Sequence, residues 1–361
     1  MTGKSAGACT IAVDAMGGDH GPAEIVAGMA LALKQHREMA SLIVVGDKAQ
    51  LEPALKEHGL AENPRLKLHH ASEVVGMEDK PIQALKAKKD SSMARAVELV
   101  KDGRADAIIS CGNTGALMAA GTLKLRPVAG IERPALATMV PSDPSPFLLI
   151  DSGAAPTPRP EHLVHNAILG ARYFEATQNK ERPRVGLLTI GTEEGKGTER
   201  TNIAHELFKQ CGDILNYSGP VEGFHLFQNE VDVVVTDGFT GNILLKSLES
   251  VYNMLKGVVK DEITRTPLRK LAALLLRGAF RDMKARVDPT PHAGAPLLGV
   301  NGLLVKAHGS SERAFIAGAI GVTVRALHHD MAERVQEDLG VFNARRETAK
   351  EVAREKAGVE G

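Results

Sequence analysis

Short runs of β-branched and apolar residues recur at 10–13, 42–45, 107–110, 147–150, 184–190 and 231–236, separated by amphipathic stretches of helix length at 23–35, 91–101, 161–177 and 202–210. Runs this short suit buried strands, and the intervening stretches carry the 3.6-residue period of helices. A chain that alternates strand and helix in this way builds an α/β domain around a largely parallel sheet. Such sheets bind ligands in the turns that leave the carboxyl ends of their strands. The turns are therefore where chemistry is to be sought.

With 361 residues the chain can bury a substantial core, as one large α/β body or as two lobes. Its 43% hydrophobic and 24% charged content is that of an ordinary globular protein. Lys plus Arg equals Asp plus Glu at 44 each, which gives no overall field for nucleic acid. The three cysteines, Cys9, Cys111 and Cys211, are odd in number and lack metal-ligand spacing, which suits a reducing cytoplasm. Residues 1–9 contain one lysine and no apolar core of a secretory signal. No stretch reaches the roughly 18 apolar residues that span a bilayer, so a membrane role would be peripheral.

Five turns stand out. The first is Asp14-Ala15-Met16-Gly17-Gly18-Asp19, followed by His20, Gly21 and Pro22 at a helix start. Its glycines admit close approach of a ligand, and Asp19 is equally placed to cap the helix. The second, Ser110-Cys111-Gly112-Asn113-Thr114-Gly115, joins a strand to a helix, where backbone N–H groups favour an anion or a simple cap. The third, Gly191-Thr192-Glu193-Glu194-Gly195-Lys196-Gly197, has three residues between its first glycine and the Gly-Lys pair where a P-loop needs four, then Gly in place of Ser or Thr. What remains is a glycine-rich loop presenting one ammonium, suited to phosphate or an oxyanion or simply exposed. The fourth, Asp237-Gly238-Phe239-Thr240-Gly241-Asn242, offers side-chain donors at a helix start. The fifth runs from Gly294-Ala295-Pro296-Leu297-Leu298-Gly299-Val300 to Lys306-Ala307-His308-Gly309-Ser310-Ser311, ending in an imidazole and two hydroxyls.

Familiar chemistries fit poorly. His205-Glu206 lacks the second histidine of a zincin, and neither a dinucleotide G-x-G-x-x-G after a strand nor a G-x-S-x-G elbow occurs. His162 and His165 share a helix face without an evident third ligand, so no metal is expected.

Between Arg265 and Arg286 seven cations face one acid, Asp282, around an apolar face containing Leu268, Leu271 and Leu275. Three readings fit this segment, and they are compatible. It can lie in a membrane interface, pack on its own body or a twin subunit with its arginines at the rim, or dock an acidic carrier protein. In the first and third readings Leu268, Leu271, Leu275, Arg269, Lys270 and Arg277 make the contact. The mixed charges of 332–361 read as a surface helix fraying into a solvated tail.

Taken together and in order, these five blocks resemble the bacterial acyl carrier protein:phosphate acyltransferases of phospholipid synthesis, over nearly the whole chain. The resemblance implies a three-layer α/β/α fold similar to isocitrate and isopropylmalate dehydrogenases and to phosphotransacetylases. It implies reversible transfer of a fatty acyl group from acyl carrier protein to inorganic phosphate, without a cofactor, by a cytoplasmic homodimer on the inner face of the membrane. There it would work beside the glycerol-3-phosphate acyltransferase that uses acyl phosphate. The implied domain plan is a body at 1–338 with a basic helical insertion at about 261–290, and a charged tail at 339–361. Lys196 and Asn242 are the expected catalytic residues. Asp14, Gly17, Gly18, Asp19, Asn113, Thr114, Gly115, Asp237, Thr240, Gly241, His308 and Ser310 are expected around phosphate and substrate. Two positions depart from the family pattern: Ala155 stands where asparagine is usual, and His292-Ala293 where tyrosine-glycine is usual. A nicotinamide-dependent dehydrogenase of similar fold and a non-catalytic membrane-surface adaptor are the competing readings.

Overall fold

A computed structural model describes residues 9–37, 41–193, 195–327 and 331–359. Expectations that involve 1–8, Glu194 of the third turn and the last two residues of the tail lie outside the described residues. Among the described residues eleven strands form one sheet: β1 (Thr10–Asp14), β2 (Ser41–Gly46), β3 (Leu66–His70), β4 (Ala107–Ser110), β5 (Ala135–Val140), β6 (Phe147–Ile150), β7 (Arg184–Thr189), β8 (Asn216–Glu222), β9 (Val233–Val235), β10 (Ala295–Leu298) and β11 (Leu303–Lys306). Their order is β3-β2-β1-β4-β11-β10-β5-β6-β9-β7-β8.

The sheet is parallel on both sides of a central reversal. From β3 to β11 the neighbours are parallel, as they are from β6 to β8. The steps β11 to β10, β10 to β5 and β5 to β6 are antiparallel. Three reversals leave β6, β9 and β7 running opposite to β1, β4 and β11. The carboxyl ends of the two sets therefore lie at opposite edges of the sheet.

Among the described residues there are twelve α-helices, most of them packed on the sheet: α1 (Gly21–Gln35), α2 (Lys48–Glu57), α3 (Pro81–Ala87), α4 (Ser92–Lys101), α5 (Thr114–Ala120), α6 (Pro160–Gln178), α7 (Glu199–Lys209), α8 (Gly238–Thr264), α9 (Pro267–Leu275), α10 (Arg277–Arg286), α11 (Arg313–Leu327) and α12 (Met331–Val359). Side chains alternate across each strand, which sets the layers. On one face Ile11, Val13, Ile150 and Val233 pack with Met29 of α1, Ile168 of α6 and Ile320 of α11. On the other, Ala12, Ile43, Ile108 and Leu304 pack with Val97 of α4 and Leu117 of α5, while Leu149 and Val234 pack with Leu244 and Leu248 of α8. The result is three layers, α/β/α.

Two expectations change. Asp19 does not cap α1: His20 precedes the helix without a side-chain cap bond, and the Asp19 N–H donates instead to the Gly309 carbonyl at 2.8 Å. The C-terminal segment is not padding in its first half. Val335, Leu339 and Phe342 recur at helical spacing amid the charges and are buried in the core. Asp338 accepts from Arg172 at 2.6 Å and Arg346 donates to Glu161 at 2.9 Å, so the body continues past 338.

Candidate active site

The first, second and fifth turns meet at one edge of the sheet. Ser110 Oγ donates to the buried Asp14 carboxylate at 2.6 Å and accepts the Gly112 N–H at 3.0 Å. A methyl group at Gly17 would come within 2.6 Å of Gly112 Cα, so only glycine lets these two turns close on each other. Gly18 lies against Cys111 and the Gly309 carbonyl, and Asp19 against Gly309. The His308 Nδ1 accepts the Ser310 N–H at 3.2 Å and sits 2.8 Å from Ser310 Oγ, both residues being exposed. Thr114 is exposed, and Gly115 lies against Pro81.

Asn113 is occupied in a way the sequence did not reveal. Its Oδ1 caps α5 by accepting the Ala116 N–H at 3.0 Å. Its amide nitrogen lies 3.2, 2.9 and 3.1 Å from the carbonyls of Gly76, Met77 and Asp79. With both ends of the side chain committed, Asn113 shapes this turn by pinning 76–79 to it rather than by offering its amide to a ligand. Asp14 is likewise a fastener between turns.

The third and fourth turns gather at the opposite edge, together with the Asp151–Ala155 turn after β6. Asp151 is fully buried and accepts four backbone N–H groups: Leu136 at 3.1 Å, Gly153 at 3.0 Å, Ala154 at 2.8 Å and Ala155 at 2.6 Å. Burial pushes its carboxyl above the ordinary aspartate range against the pull of those four donors. The turn in turn holds α8, because the Ala155 carbonyl accepts the Gly238 N–H at 2.9 Å. A side chain at Gly241 would overlap the Asp151 carbonyl. Asp237 caps α8, accepting the Thr240 N–H at 2.9 Å and its hydroxyl at 3.1 Å, and pairs with Arg200 at 3.7 Å. Arg200 lies in the first turn of α7, directly after the Lys196 loop, and so ties the third turn to the fourth. Of the expected residues at this edge, Asp237 and Thr240 are spent on each other. Lys196 and Asn242 are exposed, and their side chains make no hydrogen bond or ion pair with the described residues.

The expected turns thus form two groups at opposite edges of the sheet. The reason is the reversal through β10, β5 and β6. Yet β10 and β6 have only four residues each, which separates the edges by about 13 Å. Helix α8 bridges that gap. It starts at the second edge, and Lys246, eight residues after Gly238, lies about 12 Å further along it. Asn242, one turn before Lys246 on the same face, falls midway, with its Oδ1 3.5 Å from where a side chain at Gly153 would begin. At the far end, Lys246 acts electrostatically on Lys306 in the first group. A cleft of about 370 Å³ opens on this face, lined by Met118, Thr122, Pro134, Leu297, Ala154 and Ala155 beside exposed Glu132 and Arg133. At the departure Ala155, the hydrogen bonds to Asp151 and Gly238 are made by the backbone and do not depend on the side chain. At the other, His292 is partly buried near Gln178 and Ala293 is buried.

Lys306 is the residue that sequence reasoning passed over. A lysine closing an otherwise apolar strand was the available signal. It ends β11 in the middle of the first group, and its ammonium donates to the Cys111 carbonyl at 3.2 Å and to that of Ala307. Its neighbour Cys111 is buried, and burial pushes the thiol up to about 11, far from the range of a reactive thiolate.

Helices α9 and α10 stand apart from both groups. Leu268, Leu271 and Leu275 are exposed, Leu275 by 82%, and Arg269, Lys270 and Arg277 are exposed among them. Arg286 bonds Asp143 and ties the segment back to the body. No described helix is long and apolar enough to cross a membrane. His162 bonds Arg159 and Glu132, whereas His165 pairs with Asn343.

Comparison with known proteins matches residues 9–334 to the family described as fatty acid synthesis protein. A phosphate acyltransferase from Methylococcus capsulatus is 43% identical over 337 residues, which cover 93% of this chain and 98% of that protein. One from Desulfitobacterium hafniense is 42% identical over 338 residues, covering 93% and 99%. Among solved structures, a phosphotransacetylase from Streptococcus pyogenes aligns with a TM-score of 0.58 at 16% identity, over 89% of this chain and 94% of that one. A branched-chain phosphotransacylase from Enterococcus faecalis aligns with a TM-score of 0.56 at 16% identity, over 89% and 99%. The structural likeness is one of fold.

Proposed function

The chain belongs to the fatty acid synthesis protein family, among its bacterial phosphate acyltransferases, and on that premise we propose that its acyl donor is a fatty acyl carrier protein and its product the acyl phosphate consumed in glycerophospholipid synthesis. Membership of an acyltransferase family displaces the dehydrogenase and adaptor readings. One observation carries the assignment of the centre. At the edge where β7 and β9 end, every polar group expected to act is locked internally except Lys196 and Asn242.

Phosphate bears a nucleophilic oxygen at neutral pH, so positioning and charge stabilisation are what the protein must add. A phosphate oxygen attacks the thioester carbonyl carbon, Lys196 offsets the negative charge that accumulates, and the Asn242 amide donates to the oxyanion. The tetrahedral intermediate then expels the carrier protein's thiolate, which takes up a proton, leaving acyl phosphate. The test is to incubate the purified chain with acyl carrier protein thioester and phosphate and trap acyl phosphate with hydroxylamine. Hydroxamate formation that requires phosphate supports the reading, and its absence overturns it.

The acyl chain is assigned to the cleft between α5 and the Ala154–Ala155 turn. Thr122→Trp, at an exposed position of its wall, is expected to lower kcat/KM for long acyl donors at least about tenfold more than for short ones. Equal losses for both would remove the chain from this cleft.

Contact with the inner membrane surface and with the acidic carrier is assigned to α9 and α10. The exposed apolar residues of α8, among them Val251, Leu255 and Val258, are assigned to a second copy of the chain, since patches of this kind mark interaction surfaces. Leu275→Glu is expected to weaken flotation with anionic liposomes while activity on soluble donor stays near wild type. Unchanged flotation would refute the membrane assignment.

A further inference from the structure

Lys306 holds a positive charge at the edge opposite Lys196, and nothing in the mechanism above uses it. Its side chain is largely withdrawn from water, with two donors directed to the carbonyls of Cys111 and Ala307. An ammonium has three donors, so one remains. No described carboxylate forms an ion pair with it; Asp14 and Asp19 act on it only at longer range. Burial holds its pKa below the ordinary lysine range, and Lys246 from α8 pushes the same way. Lys246 is exposed and pairs with Glu249 at 2.7 Å, so it reaches Lys306 only as a further positive charge at longer range. In the same turn, the buried Ser311 Oγ has no hydrogen-bond partner among the described residues.

Burying an ammonium without a counter-ion is costly, and carbonyl dipoles offset only part of that cost. An anion at the free donor of Lys306 would supply what is missing. Each lysine is a compact point charge suited to a phosphate oxygen. We infer that Lys306, assisted by Lys246, binds the acceptor orthophosphate before acyl transfer, leaving Lys196 and Asn242 to the charge that develops on the reacting carbonyl.

This inference rests on phosphate being the acceptor, and the two can fail separately. In steady-state assays of the full chain, Lys306→Met is expected to raise KM for phosphate at least about tenfold. KM for the acyl carrier protein donor should change by less than about threefold, and kcat at saturating phosphate should fall less than KM rises. Lys246→Met, at an exposed position where it removes one surface ion pair with Glu249, is expected to raise KM for phosphate several-fold. In the absence of donor, orthophosphate should raise the Tm of wild type and of Lys196→Ala but not that of Lys306→Met. An unchanged phosphate KM in both lysine variants, or a rise in donor KM instead, overturns the inference while leaving the acyltransferase reading intact. Failure of the wild type to form any acyl phosphate would overturn that reading itself.

Discussion

Lys196→Ala and Asn242→Ala each turn over at least about a hundredfold more slowly than wild type at saturating substrates, with an unchanged circular dichroism spectrum and Tm. The expected size follows from the role. A preorganised donor or charge aimed at a developing oxyanion contributes on the order of 3 kcal/mol to the barrier, which is roughly two powers of ten in rate. The unchanged fold follows from the structure, because both side chains are exposed and make no bond to the described residues. Truncation leaves no buried partner orphaned. Single-turnover rates read the effect directly, and near-normal turnover by either variant would take that residue out of the mechanism.

Asp151→Ala has the opposite profile, with a stability loss of about 4 kcal/mol or more in denaturant unfolding. Four backbone N–H groups converge on this carboxylate in a buried turn, and each donor left unsatisfied costs about 1 to 3 kcal/mol. Some will find water or relax, so the total falls short of the full sum. Asp151→Asn is expected to lose less, about 2 kcal/mol, since Oδ1 serves Leu136, Gly153 and Ala154 and only Ala155 uses Oδ2. Activity should fall with stability in the alanine variant, because the same turn positions Gly238 and Asn242. If Asp151→Ala unfolds at the same denaturant concentration as wild type, the turn is held by something other than this carboxylate.

Much of this architecture was legible in the residues, and what was not has physical causes. The apolar runs at β1, β2, β4, β6, β7 and β9 are buried strands whose composition announces them. Strand β8 was hidden by Gly219 and Pro220, and β10 by Pro296, residues that weaken a strand pattern. Strand β3, half exposed at the sheet edge, alternates too weakly to stand out. The antiparallel passage through β10, β5 and β6 depends on contacts between segments distant in the chain. That passage sends the turns to two edges, which a reading of the turns alone does not reveal.

The site was read from residue types, which show what a side chain can offer but not whether it is already taken. Asn113 and Asp237 have the right chemistry and spend it on caps. Lys306 was overlooked because a single charge at the end of an apolar strand reads as punctuation. Its neighbours on the folded chain, not in the sequence, give it a role.

Direct attack by phosphate, with no acyl group ever attached to the protein, is the claim on which the account turns. The buried, unreactive Cys111 is in keeping with it. The measurement is to mix the enzyme at high concentration with acyl carrier protein thioester in phosphate-free buffer and follow release of the carrier thiol. The account predicts none until phosphate is added, and then thiol and acyl phosphate in equal amounts. A burst of one thiol per enzyme before phosphate is present would contradict it.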